Sequence, residues 1–330
     1  TPAIGSFSVE EFKIPNITAQ LSAKNTPWIN QPDAQLEFSA RYFSGGPAAQ
    51  MPFKVRYSLS NSTLYINDED YSDFTWQSGQ VEEGVTKYGS NRVENNQPQL
   101  NQFDLKLDQY GFQKINLSHL KYSNTPQNAV VSVEYKDANG DIQTMTRSYP
   151  LYFSPYLIGV KSDSWYQTAK SFTFDAALLD LKQKPIAGKK VTLSMYKVDN
   201  FSTRKKLLGG FYSYESFQEV KKVLELCNST TDSQGKIHCH GSNEELAGEY
   251  IVAASFKDDS GNTITSKIST YLSGGEYWYG GGDSDRMDLI PNKKSFEPGE
   301  TAEFQVRGPI TEGELLVTVE RNGILQKFVQ

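Results

Sequence analysis

The strongest constraint on how this chain folds is a spaced pattern that occurs three times. From Trp28, apolar residues follow at six, eight and ten positions: Ala34, Leu36 and Phe38. From Tyr166 come Phe172, Phe174 and Ala176, and from Phe296 come Ala302, Phe304 and Val306. A spacing of two places side chains on one face of a β-strand, so each anchor precedes a strand with one buried face. The anchors stand 138 and 130 residues apart, and features repeated in a fixed order mark a tandem array.

A second shared element lies later in each of the first two units. Leu107-Asp108-Gln109-Tyr110-Gly111-Phe112 matches Thr231-Asp232-Ser233-Gln234-Gly235-Lys236. An alternating run ending at Asp137 then precedes Asn139-Gly140, as one ending at Asp258 precedes Ser260-Gly261. The Gly-to-Gly distances are 29 and 26 residues. Period-2 segments recur at Leu36-Phe38-Ala40-Tyr42, Phe53-Val55-Tyr57-Leu59, Val191-Leu193-Met195 and Leu315-Val317-Val319, separated by turn signals such as Ser44-Gly45-Gly46-Pro47 and Asn322-Gly323. The best helical candidate is Phe217 to Leu226, but its alternation suits a strand or short arm better. The expected fold is all-β: tandem Ig-like or fibronectin-III-like antiparallel sandwiches.

The repeat sets the expected boundaries. Residues 1–15 read as the closing strand of a preceding module, with Phe7 to Phe12 as that strand, and a linker. Residues 16–153 and 154–273 read as two sandwiches. Residues 274–330 read as a glycine and aromatic linker, Gly274 to Gly282, followed by the opening of a third module. The expectation is a segment of a longer array.

Composition supports this class. The chain has 19 Tyr and 18 Phe in 330 residues, an aromatic content that favours strands. Its net charge of −6, with no basic cluster longer than Arg204-Lys205-Lys206, argues against nucleic acid as a partner. No apolar run reaches the length of a membrane-spanning helix, and no signal-peptide pattern opens the sequence.

Several stretches resemble a known family. FSVEEFKIP (7–15), LYFSPYLIGVK (151–161), DRMDLIPNKKSFEPGETAEFQVRGP (285–309) and LLVTVERNGIL (315–325) are similar to the bacterial α2-macroglobulin-like proteins. The resemblance implies macroglobulin domains, each a seven-stranded sandwich, in the part of the protein that precedes the bait region. It implies a periplasmic protein, often a membrane-anchored lipoprotein, that traps foreign proteases. The implied partners are the neighbouring macroglobulin, bait-region and thioester-type domains, with host or competitor proteases as targets of the full-length protein only. No enzyme activity, cofactor, catalytic residue or metal is implied for this segment, and no membrane contact by it. The reactive motif of the family, Cys-x-x-Gln or Cys-x-Glu-Gln, is absent: Cys227 is followed by Asn-Ser-Thr and Cys239 by His-Gly-Ser.

Cys227 and Cys239 are the only cysteines, twelve positions apart across the turn at Asp232 to Gly235. In an exported all-β protein, a disulfide between the two arms is the expected reading, with buried free thiols as the alternative. His238-Cys239-His240 invites a zinc site, but a strand turns the two histidines one way and the cysteine the other. The stretch Asn67 to Asp73 is acidic enough for calcium, yet it lacks the spacing of a calcium loop and reads as a solvated loop. Gly280-Gly281-Gly282 has no following Lys-Ser/Thr and reads as linker, not a phosphate cradle. The alternative function is an adhesin or carbohydrate-binding array, which requires an exposed aromatic platform; Trp76 and Trp278 are its candidates.

Overall fold

The computed structural model describes residues 16–87, 100–206, 212–274, 288–291, 293, 295–307, 314–321 and 323–329. The expected strand at Phe7 to Phe12 lies outside these residues, as do Trp278 and the linker beyond Gly274. The described residues are overwhelmingly strand, as the alternation requires. The chain divides into two compact units, Thr1–Leu64 with Glu94–Pro155, and Tyr65–Val93 with Tyr156–Gln330. The contiguous span 16–153 expected for the first sandwich is therefore interrupted, because its middle segment folds with the second.

The described strands begin with β1 (Ile17–Ala23), β2 (Trp28–Ile29), β3 (Ala34–Tyr42) and β4 (Pro52–Asn61). A four-residue helix, α1 (Glu69–Ser72), follows, with the short strands β5 (Thr75–Trp76) and β6 (Gly84–Lys87). Next come β7 (Asn101–Lys106), β8 (Phe112–Leu117), β9 (Gln127–Lys136) and β10 (Ile142–Tyr152). The first unit packs the sheet β1-β3-β8 against the sheet β2-β10-β9-β4-β7. Its core is built from the predicted alternation: Leu36, Phe38 and Ala40 from one sheet meet Phe53, Val55 and Val131 from the other. Phe38 packs on Phe53 with ring centroids 4.7 Å apart. The anchor Trp28 is buried and stacks on Tyr149.

The second unit contributes β11 (Tyr156–Ser162), β12 (Tyr166–Thr168), β13 (Phe172–Asp180) and β14 (Lys190–Lys206). Then come β15 (Tyr212–Thr230), β16 (Lys236–Gly241), β17 (Gly248–Lys257) and β18 (Thr263–Ser273). Residues 217–226 are thus strand, inside β15, as the alternation favours. Its sheets are β16-β13-β11-β5 and β12-β18-β17-β14-β15-β6. With β5 and β6 set aside, this strand order is that of the first unit, element for element. Even the parallel pairing at the anchors repeats, Trp28 with Leu151 and Tyr166 with Tyr271.

Among the described residues one turn chemistry recurs five times. Asp108, Asp137, Asp180, Asp232 and Asp258 each accept, through Oδ1, the backbone N–H groups two and four residues onward. A short side-chain acceptor there satisfies donors that the tight loop leaves unpaired. The residue three positions after each Asp has a positive φ: Gly111, Gly140, Gln183, Gly235 and Gly261. At Gly111 and Gly235 space is also limiting, since an added Cβ would lie 2.5 Å from the carbonyl oxygens of Ala40 and Leu178 respectively.

Among the described residues the third occurrence of the pattern forms the pairs β19 (Asp288–Pro291) with β20 (Phe304–Arg307), and β21 (Leu316–Glu320) with β22 (Ile324–Val329). Phe296 packs on Phe304, but none of its described residues is buried. No helix among the described residues is long and apolar enough to cross a membrane.

Candidate functional site

Residues 65–87 lie in sequence between β4 and β7 of the first unit, yet every contact described below is with the second. In the second unit the equivalent strands β14 and β15 form one hairpin. The connection between β4 and β7 therefore carries a long insertion, and residues 65–87 of it belong to the second compact unit.

The wrapping begins on the outer face of the sheet that contains β11 and β13. Along β13, Phe172, Phe174, Ala176 and Leu178 face the inner core, and alternation sends Thr173, Asp175, Ala177 and Leu179 outward. Ala177 and Leu179 are nonetheless fully buried, as is Leu157 across from Leu179 in β11. The covering layer is α1 and its sequel: Tyr71, Phe74 and Trp76 form a cluster with ring centroids 5.9–6.4 Å apart. Asp68 caps α1 by accepting the Asp70 N–H, and the Trp76 indole donates to the Tyr71 carbonyl. The Tyr71 hydroxyl donates to the Gln234 carbonyl, and Lys236 lies over its ring. The acidic stretch is thus a capped helical turn with a buried Tyr71, where the sequence reading expects a solvated loop. Among the described residues no group of three His, Cys, Asp or Glu could hold a metal ion.

From there the segment closes one edge of the sandwich. Trp76 and Thr75 pair with Gly159 and Val160. Gln77 donates its backbone N–H to Ile158 and its side-chain amide to Tyr156. The Ser78 Oγ donates to the Lys267 carbonyl at 2.8 Å and accepts the Lys267 N–H at 2.7 Å, occupying a backbone position that β18 leaves open. The Ser266 hydroxyl donates to the Thr75 carbonyl.

The segment then crosses the outer face of the second sheet. Ser78 sits at β18, and Gly84 pairs with Val220 of β15, three strand positions away. Three steps are about 14 Å, and six residues reach about 20 Å when extended. Outward-facing Ser194 and Ala253 lie in this path and are buried. The Tyr196 hydroxyl is pushed up by burial and by the Glu83 carboxylate, and Glu83 accepts the Lys222 N–H. Gln183 accepts the Asn67 N–H and donates to the Tyr65 carbonyl, fixing the entry to the segment.

The opposite edge is closed covalently. Cys227 of β15 and Cys239 of β16 are joined, with Cα atoms 6.0 Å apart, and they belong to different sheets. The bond is therefore a cross-link between layers as well as between the arms of a turn. His238 and His240 face away from Cys239: His238 pairs with Asp175 at 2.6 Å, and His240 meets the Ser171 hydroxyl at 3.2 Å. Trp76 is half-buried over Gly159 and offers no open platform.

No protein-family profile matches the chain. It is 23% identical over 320 residues to the alpha-2-macroglobulin homolog of Nostoc sp., an alignment that covers 96% of this chain and 16% of that protein. The native conformation of Escherichia coli alpha-2-macroglobulin superposes with a TM-score of 0.52 at 15% identity, over 97% of this chain and 20% of that one. Salmonella alpha-2-macroglobulin reacted with methylamine gives 0.50 at 15% identity, with the same coverage. The chain thus spans about a fifth or less of the length of these proteins. It is a macroglobulin-like segment, homologous to a bacterial alpha-2-macroglobulin homolog and sharing the bacterial alpha-2-macroglobulin fold over this stretch.

Proposed function

We propose that the chain is a structural scaffold segment of a bacterial alpha-2-macroglobulin-like, broad-spectrum endopeptidase inhibitor that traps foreign proteases. The observation that carries this reading is the alignment of nearly the whole chain with part of an alpha-2-macroglobulin homolog. The two sandwiches of identical strand order fit such a scaffold. This reading gives the segment no enzymatic role: its two cysteines are tied together, and His238 and His240 form surface pairs on the far side of β16. Its partners are the neighbouring macroglobulin, bait-region and thioester-type domains, and proteases engage only the full-length protein. This reading puts the full-length protein in the periplasm as a membrane-anchored lipoprotein, or otherwise outside the cytoplasm by export, settings in which a disulfide persists.

The test compares the segment with the full-length protein, each in molar excess over trypsin or elastase. Activity is followed on a large protein substrate and on a small peptide. The full-length protein is expected to suppress cleavage of the large substrate and spare the small one, while the segment alone suppresses neither. Suppression by the isolated segment, or none by the full-length protein, would overturn the reading.

A further inference from the structure

The second sandwich is complete without residues 65–87. Its own eight strands repeat the order of the first unit, its inner core is formed by β11 to β18, and its disulfide already closes one edge. The inserted segment adds an outer layer and two edge strands of two and four residues. Its seat also works against it. Gln77 is a non-glycine residue at φ 38°, and its Oε1 is buried without a hydrogen-bond partner. Both features oppose docking. Gly79 at φ 96° and Gly84 at φ 111° bracket the crossing, placing permissive backbone at both ends of it.

We propose that residues 65–87 are a detachable strap. They lift from the second sandwich as a cooperative unit while the inner core stays folded. Lifting uncovers the apolar outer face at Leu157, Gly159, Ala177 and Leu179, together with the backbone edges of β11 and β15. The strap lies in sequence between β4 and β7 and is part of the second compact unit. This device goes beyond the scaffold reading and does not depend on it.

Hydrogen–deuterium exchange on the whole chain tests it, read by mass spectrometry for the parent and for Ser78→Ala and Gly159→Ala. Ser78→Ala removes both bonds to Lys267 and leaves every core side chain in place. Gly159→Ala displaces the Trp76 indole. Amides of Gln77 and β6 are expected to exchange faster than those of β13 and β17 in the parent. In each variant they accelerate by about tenfold, the effect of losing one or two modest interactions, and they still exchange faster than those of β13 and β17. A single common rate for strap and core in all three proteins would overturn the proposal. So would strap amides that keep the parent's rates in both variants.

Discussion

Gly159 lies directly beneath the indole of Trp76, its register partner across β11 and β5. A Cβ at Gly159 would stand 3.0 Å from Cδ2 and Cε2 of that ring and 3.1 Å from the Phe74 Cβ. The glycine is there because an aromatic ring from another part of the chain occupies the place of its side chain.

Substituting this position reports on the packing. Gly159→Ala is expected to destabilise the second unit by about 1–3 kcal/mol, the usual cost of overfilling a packed site. Calorimetry or denaturant unfolding should show one transition lowered and that of the first unit unchanged. A variant as stable as the parent would mean that the indole does not sit there.

The disulfide makes a second prediction. Cys227→Ser together with Cys239→Ser opens a loop of about 13 residues, worth about 3 kcal/mol on the chain-entropy account. The loss should fall on the second unit alone, since each unit has its own core. Equal destabilisation of both transitions would contradict this.

The aspartate turns distinguish an acceptor from a charge. Asp232→Ala strips the acceptor from Gln234 and Lys236 and is expected to cost about 1–3 kcal/mol. Asp232→Asn keeps an oxygen in place and should cost a fraction of that. If the two substitutions prove equally damaging, the negative charge matters more than the hydrogen bonds.

Alkaline pH should weaken the second unit through Tyr250. Burial, assisted by the Asp199 carboxylate, pushes its phenol up to about 12. The folded state holds the proton over a range in which the unfolded chain, near the ordinary value of about 10, releases it. The stabilisation is fully present below pH 10 and is lost as pH rises from 10 through 12. Denaturant midpoints for the parent and Tyr250→Phe, taken across that range, should show a shallower decline in the variant. Parallel declines would refute the assignment. Burial likewise raises Tyr57 and Tyr152 in the first unit, so that unit should also lose stability in strong base.

Much of the fold was legible in the sequence because it is local. Alternation placed Leu36, Phe38 and Ala40 on one face of β3, and Gly111 and Gly235 marked turns that need both a positive φ and the absence of a side chain. The spacing of Cys227 and Cys239 pointed to a link across a turn, but not to its role between sheets. The strap was not legible, since nothing between Tyr65 and Lys87 names its partners, which lie 79 to 191 residues away. A trace of it was present all the same. Outward positions of β3 are Gln35, Glu37, Ser39 and Arg41, whereas the equivalent strand β13 offers Ala177 and Leu179. Unbroken apolar runs at Leu157 to Val160 and Ala176 to Leu179 signal a sheet covered on both faces. What covers it is a tertiary fact that periodicity cannot supply. The turn at Asp180 was missed for a simpler reason: its positive-φ residue is Gln183 and not glycine.

The central claim is that residues 65–87 cover the second sandwich and add strands to its edges, and a cross-link tests it most directly. Thr86 and Gln218 are register partners in β6 and β15. In a variant carrying Thr86→Cys and Gln218→Cys, peptide mapping without reduction should find residues 86 and 218 joined, beside the native link between Cys227 and Cys239. If both introduced thiols instead remain free to alkylation in the folded, oxidised protein, β6 does not lie on β15 and the account fails.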